Sequence, residues 1–159
     1  MALSVYQTLI GGGEATTGRS TRGYAIYFKG NLVSSRSKTN KAVCINVSEA
    51  ELMAATLATQ EILHLRILAE ELDFHDLPRP TLFTDNAQVI SWTMEPNAEQ
   101  SRSRHLSIEK YWLAELSESI LTIQHLPTAQ MIADIFTKGP GAITGGCKAW
   151  EALSSMLIA

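Results

Sequence analysis

Three acidic residues stand where a fold could gather them into one reactive corner. Glu51 lies at the start of a long helical stretch, directly after the apolar, β-branched run at 42–47. Asp85 ends the short β-rich run at 81–84, and Asp134 sits in the semi-apolar string Ala133-Asp134-Ile135-Phe136. In sheets flanked by helices, ligands collect where strands end and helices begin. Carboxylates gathered there repel one another unless a cation neutralises them. Hard oxygen donors with few histidines suit Mg²⁺ or Mn²⁺ better than zinc. Two such ions about 3.5–4 Å apart would clamp the attacking and leaving oxygens of a phosphodiester. Each acid also has a purely structural reading. Ser48 and Glu51 form an S-x-x-E capping box, Asp85 can cap the next helix, and Asp134 can be an ordinary helical carboxylate.

The elements that must position these acids follow from periodicity. Residues 3–9 read as a strand ended by Gly11-Gly12-Gly13, with a polar loop to about 22. Residues 23–28 and 32–36 read as strands around a Lys29-Gly30-Asn31 turn, and 42–47 is a further β-branched run. Ala54, Ala58, Ile62, Leu65, Ala69 and Leu72 recur at helical spacing, so 48–72 reads as a helix. Pro78 and Pro80 mark a loop before the strand at 81–84, which runs into Asp85-Asn86, a pair that can cap a short helix at about 87–93. Ile108, Trp112 and Leu116 give 105–118 an apolar stripe. Leu121 and Ile123 alternate in a strand ending at Pro127, and Thr128 can cap a helix holding Ile132, Ile135 and Phe136. Gly139-Pro140-Gly141 stops that helix, and 148–157 reads as a terminal one. Three early strands form a meander and the later ones are joined through helices. The outcome is a mixed sheet with helices on its faces. Residues 1–159 read as one domain, with a core at about 3–138 and the terminal helix at about 148–157.

Composition narrows the setting. The chain has 159 residues, 45% hydrophobic and 18% charged, which is a globular balance. A net charge of −3 excludes a uniformly basic nucleic-acid binder. The charge is uneven, however. The first fifty residues carry six basic side chains against two acids, and the next fifty carry two against nine. The basic third can track a phosphate backbone, or it can be a solvated hairpin edge. Cys44 and Cys147 lack metal-site spacing and are too few for a disulfide framework. No apolar stretch is long enough to span a bilayer and no secretory leader is evident, so an intracellular location, cytoplasmic or nuclear, is expected without membrane contact.

Several strings resemble one family. Ser48-Glu49-Ala50-Glu51-Leu52-Met53-Ala54 resembles the S-[ST]-x-E-A-E-[YL]-x-A segment of copia-type retrotransposon RNase H domains. Leu82-Phe83-Thr84-Asp85-Asn86 is similar to their strand ending in T-D-N, and Arg104-His105-Leu106-Ser107-Ile108 to their K-H-I-D-I. Leu126-Pro127-Thr128-Ala129-Gln130-Met131-Ile132-Ala133-Asp134-Ile135-Phe136-Thr137-Lys138 resembles their V-[PS]-T-x-x-Q-x-A-D-I-[FL]-T-K. Arg19-Ser20-Thr21-Arg22-Gly23-Tyr24 is similar to R-S-T-S-G-Y. The resemblance covers about 19–138. It implies an α/β, RNase H-like fold: a mixed five-stranded sheet, an antiparallel meander plus parallel strands, with helices on both faces. It also implies a place in a reverse transcriptase polyprotein and two-Mg²⁺ (or Mn²⁺) hydrolysis of the RNA strand of RNA–DNA hybrids. Glu51, Asp85 and Asp134 would be the catalytic metal ligands. Arg19, Arg22, Asn86 and His105 would lie on the substrate side, with no catalytic role for His105.

One position departs from the pattern. The family's first strand carries an aspartate in Y-[ST]-D-A-[SD]-[WF], which bridges both metals, but this chain has Val5-Tyr6-Gln7-Thr8-Leu9. Gln7, or alternatively Thr8, occupies that place, and no acid precedes Glu14. A neutral amide oxygen cannot offset two divalent charges, so metal binding is expected to be weakened and cleavage impaired or lost. Two classes remain open. One is a hybrid ribonuclease with an altered site. The other is a pseudoenzyme that binds nucleic acid or protein, with an RNA–DNA hybrid, an RNA duplex, a reverse transcriptase domain or another protein as partner.

Overall fold

The computed structural model describes residues 3–10, 21–39, 47–96, 104–131 and 133. Strand β1 (Leu3–Ile10) pairs antiparallel with β2 (Thr21–Phe28), and β2 pairs antiparallel with β3 (Asn31–Thr39). Lys29 and Gly30 join β2 to β3 with φ of 52° and 84°. Positive φ at both positions matches the twist of a two-residue hairpin, and Gly30 adopts it without a Cβ clash. The chain then runs through α1 (Val47–Glu71), β4 (Thr81–Thr84), α2 (Ala87–Met94), α3 (Arg104–Ser119) and β5 (Thr122–His125). Strand β4 lies parallel to β1 on one side and to β5 on the other, giving the order β3-β2-β1-β4-β5. Parallel neighbours need long crossovers, and the helices supply them.

Strand β2 is buried on both faces, which explains its almost unbroken apolar run. Tyr24 and Ile26, with Leu82 of β4, pack against Leu52, Ala55, Ala58 and Ile62 of α1. Val89 and Trp92 of α2 and Leu106, Leu113 and Leu116 of α3 complete that core. Ala25 and Tyr27 look the other way and pack with Leu126, Met131 and Ala133. Helices were expected on both faces. The three α-helices described share the first face, and the described cover of the second is the stretch around 126–133, including a 3-10 turn at Thr128–Gln130.

Three expectations change. The run at 42–47 is not a strand at its end, because Val47 opens α1, and 40–46 lie outside the described residues. The stripe of α3 holds only in part: Leu116 is buried and Trp112 packs against the core, but Ile108 is 64% exposed, while Leu106, Lys110 and Leu113 face inward. Lys110 is 3% exposed and its Nζ lies 3.8 Å from the Trp92 ring centroid. A lysine reads as polar in a hydropathy pattern, although its stem packs like an aliphatic chain and its ammonium can rest on an aromatic face. After Thr128 the described backbone forms the single 3-10 turn. Ile132, Ile135, Phe136, the 139–141 stop and the 148–157 helix lie outside the described residues.

Candidate functional site

The end of β4 is tied to the start of α1 through Asn86. Its Oδ1 accepts from the Gln88 N–H at 2.9 Å and caps α2. Its Nδ2 donates to Ser48 Oγ at 3.3 Å, and its own N–H donates to Thr84 Oγ1 at 3.2 Å. Two sequence readings change accordingly. Asp85 is not the cap of α2, because Asn86 is. Ser48 is not an N-cap, because α1 already begins at Val47 and the Ser48 hydroxyl meets Asn86. Ser48 and Glu51 are three residues apart and share a helix face. Glu51 is 3% exposed in the first turns of α1, where the positive end of the helix dipole favours a carboxylate.

Asp85 keeps its side chain for other partners. Thr128 Oγ1 donates to Asp85 Oδ2 at 2.9 Å, instead of capping the 3-10 turn that it begins. His125 Nε2 lies 3.2 Å from the Asp85 carbonyl oxygen. A carbonyl only accepts, so this contact selects the tautomer protonated at Nε2. Neither residue was singled out by sequence as a partner of Asp85. Thr128 stood in a recognisable motif, but only the β4–β5 pairing, with His125 beside Thr84, brings both to Asp85.

The register locates the departing position. Tyr6 stands beside Phe83 in the parallel pair, so Gln7 reaches the level of Thr84 and Thr8 that of Asp85. Across β2, Gln7 stands opposite Tyr24 and Thr8 opposite Gly23. Arg22 stands opposite Leu9, two residues or roughly 7 Å farther along the strand. Its Nε is buried without a hydrogen-bond partner among the described residues. Lys38 is paired with Arg22, and Arg36 with Tyr24, so three cations share this half of the hairpin. His105 falls in the first turn of α3. Arg79, just before β4, binds the carbonyls of Ser117 and Leu121 at the far end of α3. The first turn of α3 therefore lies toward the Asp85 end of the sheet. Arg19 and Asp134 lie outside the described residues.

Two carboxylates, Glu51 and Asp85, thus flank one junction. No cluster of three His, Cys, Asp or Glu side chains suited to a metal occurs among the described residues.

No protein-family model matches the chain. The chain is 27% identical over 127 residues, 79% of its length, to the Retrovirus-related Pol polyprotein from transposon TNT 1-94 of Nicotiana tabacum. It is 27% identical over 121 residues, 76% of its length, to the Transposon Ty1-DR1 Gag-Pol polyprotein of Saccharomyces cerevisiae. The matched stretches are 9% and 7% of those relatives, so the chain spans less than a tenth of their length. In structure it is similar to RNase H1 from Halobacterium salinarum, with a TM-score of 0.59 and 17% identity over 86% of this chain and 95% of that one. It is also similar to LC11-RNase H1 in a complex with RNA/DNA hybrid, with a TM-score of 0.55 and 16% identity over 85% and 93% of the two chains.

Proposed function

We propose, for an RNase H-like domain of the kind that retrotransposon Pol polyproteins carry, that this chain holds RNA–DNA hybrid or RNA duplex in the family's manner with its hydrolysis weakened or lost. The observation that carries this reading is Gln7, at the level of β4's last residue, where the resemblance calls for an aspartate. Around it, the β3-β2-β1-β4-β5 sheet is read as the family's five-stranded platform.

Glu51 and Asp85, with Asp134, are read as ligands for Mg²⁺ or Mn²⁺. A bound ion of this kind polarises a phosphodiester and makes water a better nucleophile. The chain's own groups do the rest. The Thr128 hydroxyl fixes one Asp85 oxygen and leaves the other for a ligand. The Asn86–Ser48 bond holds the Glu51 turn against the end of β4. Arg22, Arg36 and Lys38 offer positive charge to a phosphate backbone; Arg19, Asn86 and His105 are read as substrate-binding residues from the resemblance. At Gln7 the chain has a neutral amide where the resemblance calls for a carboxylate, so it would offset less of the charge of any bound divalent ions.

The test is cleavage of a labelled RNA–DNA hybrid in Mg²⁺ and in Mn²⁺ by the chain and by its Gln7→Asp, Glu51→Gln and Asp85→Asn variants. Gln7→Asp is expected to raise cleavage by at least tenfold, and calorimetry of the parent is expected to show at most one weak Mg²⁺ site. Robust cleavage by the parent that both carboxylate variants abolish would overturn the reading of a weakened site. No gain from Gln7→Asp in metal affinity or rate would remove Gln7 as the cause.

A further inference from the structure

A threonine at the start of a turn ordinarily bonds back to the backbone nearby. The Thr128–Gln130 turn has no side-chain cap, and the Thr128 hydroxyl donates instead to Asp85 Oδ2, 43 residues away in sequence, at 2.9 Å. Thr128 is exposed, but its aim is fixed from both sides. Before it, the Leu126 N–H donates to the Thr84 carbonyl at 2.9 Å, and Leu126 packs against the cluster of Ala25, Tyr27, Met131 and Ala133. Pro127 holds φ at −57°, the value its ring favours. After it, the N–H groups of Gln130 and Met131 close the turn onto the carbonyls of Pro127 and Thr128 at 2.8 and 3.1 Å, and Met131 is buried. With His125 Nε2 at 3.2 Å from the Asp85 carbonyl, one anchored stretch grips Asp85 by backbone and by side chain.

That grip has a consequence for cations. A hydroxyl that donates to Asp85 holds it as an acceptor, the ionised form in which a carboxylate meets a hard cation. It also makes the two carboxylate oxygens unequal: Oδ2 is committed to Thr128, and Oδ1 is the oxygen left to a ligand. Cations differ in what they ask of such a group. Ca²⁺ gathers about six to eight oxygens and often takes both from one carboxylate. Mg²⁺ demands a near-octahedral shell, keeps several waters and is content with single carboxylate oxygens. Chelation by both Asp85 oxygens requires the Thr128 bond to be given up, whereas ligation through Oδ1 alone leaves it intact.

We propose that Thr128 is a positioning residue that sets the cation preference of this junction. By holding Asp85 to ligation through one oxygen, it favours Mg²⁺ over Ca²⁺. Thr128 acts through Asp85 and is not itself a ligand. The proposal rests on the reading of Asp85 as a metal ligand and adds to it a determinant on the turn after β5.

Mn²⁺ serves as the reporter. Electron paramagnetic resonance measures free Mn²⁺ over the chain, and displacement by added Mg²⁺ or Ca²⁺ gives the affinity for each. The series is run on the parent and on Gln7→Asp, each with Thr128→Val and with Thr128→Ser. Thr128→Val removes the donor and keeps the shape, while Thr128→Ser keeps the hydroxyl. In Thr128→Val the ratio of Ca²⁺ to Mg²⁺ affinity is expected to rise roughly threefold or more, because both Asp85 oxygens become free to chelate. In Thr128→Ser the parent ratio is expected to hold. A turn that is merely loosened would lower both affinities together and leave the ratio alone. An unchanged or lowered ratio in Thr128→Val, or an equal rise in Thr128→Ser, overturns the proposal. If Asp85→Asn weakens Mn²⁺ binding while Thr128→Val leaves the ratio unmoved, this proposal falls alone. If neither the parent nor Gln7→Asp binds Mn²⁺, the ligand reading of Asp85 falls with it.

Discussion

Asn86 caps α2 with its carbonyl oxygen and reaches Ser48 with its amide nitrogen. Asn86→Ala removes both contacts, and loss of a cap alone costs about 1–2 kcal/mol. Urea unfolding should show a loss in that range or slightly above, and Asn86→Asp should recover most of the cap but not the bond to Ser48. Tyr24 gives a second prediction. Burial pushes its phenol above the ordinary 10.0, and Glu61 adds to that, while the Ser34 hydrogen bond and Arg36 pull the other way. A raised folded value means that the neutral form is favoured in the fold. Its stabilising contribution is full below pH 10.0 and falls as pH rises toward the higher folded value, because the unfolded chain ionises first. The Tyr24→Phe variant should therefore lose less of its urea midpoint than the parent above pH 10. At this scale the positions of two acids were legible: Glu51 early in α1 and Asp85 just after β4 follow from where a helix starts and a strand ends. Asp85 and Asn86, adjacent and equally good caps, could not be told apart locally, since the Ser48 contact 38 residues away helps decide between them.

Along α3, one lysine reverses a reading based on hydropathy. Ile108, Trp112 and Leu116 repeat every four residues; Leu116 is in the core and Trp112 packs against it, but Ile108 is exposed and the buried line runs on through Leu106, Lys110 and Leu113. Trp92 receives the Lys110 ammonium, so α2 and α3 meet through a ring and a charge as well as through Val89 and Leu113. Trp92→Ala removes a large core ring and leaves the ammonium without its aromatic face, which should cost about 3–5 kcal/mol. Lys110→Met keeps the stem and removes the charge, and buried charges replaced by apolar groups of similar shape are often neutral. Denaturant midpoints should thus separate the two variants widely. The other elements were legible because their signals are local: the positive-φ pair Lys29-Gly30, the helical spacing through Ala54, Ala58 and Ile62, and the four-residue strand before Asp85.

For the molecule as a whole, the cations of the β2–β3 hairpin set how nucleic acid would be held. Neutralising about three phosphates through Arg22, Arg36 and Lys38 predicts a roughly 20- to 40-fold loss of hybrid affinity between 50 and 200 mM salt. An Arg36→Ala/Lys38→Ala variant should bind more weakly at low salt, and its salt slope should be shallower by nearly two units. Fluorescence anisotropy across a salt series checks both. The meander and the crossovers were legible as an order of elements, but the placement of β1 between β2 and β4 was not, because no local pattern encodes a pairing across seventy-odd residues. That placement governs how the domain is born. Strand β1 leaves the ribosome early and finds β2 within moments, yet Tyr6 must wait for Phe83, and the β4 edge waits longer still for His125. Long-range parallel pairing is slow and leaves unpaired strand edges in the meantime. Until synthesis has passed His125 the junction around Asp85 does not exist, so a nascent chain of this kind meets nucleic acid only with its cationic hairpin, never with its carboxylates in place.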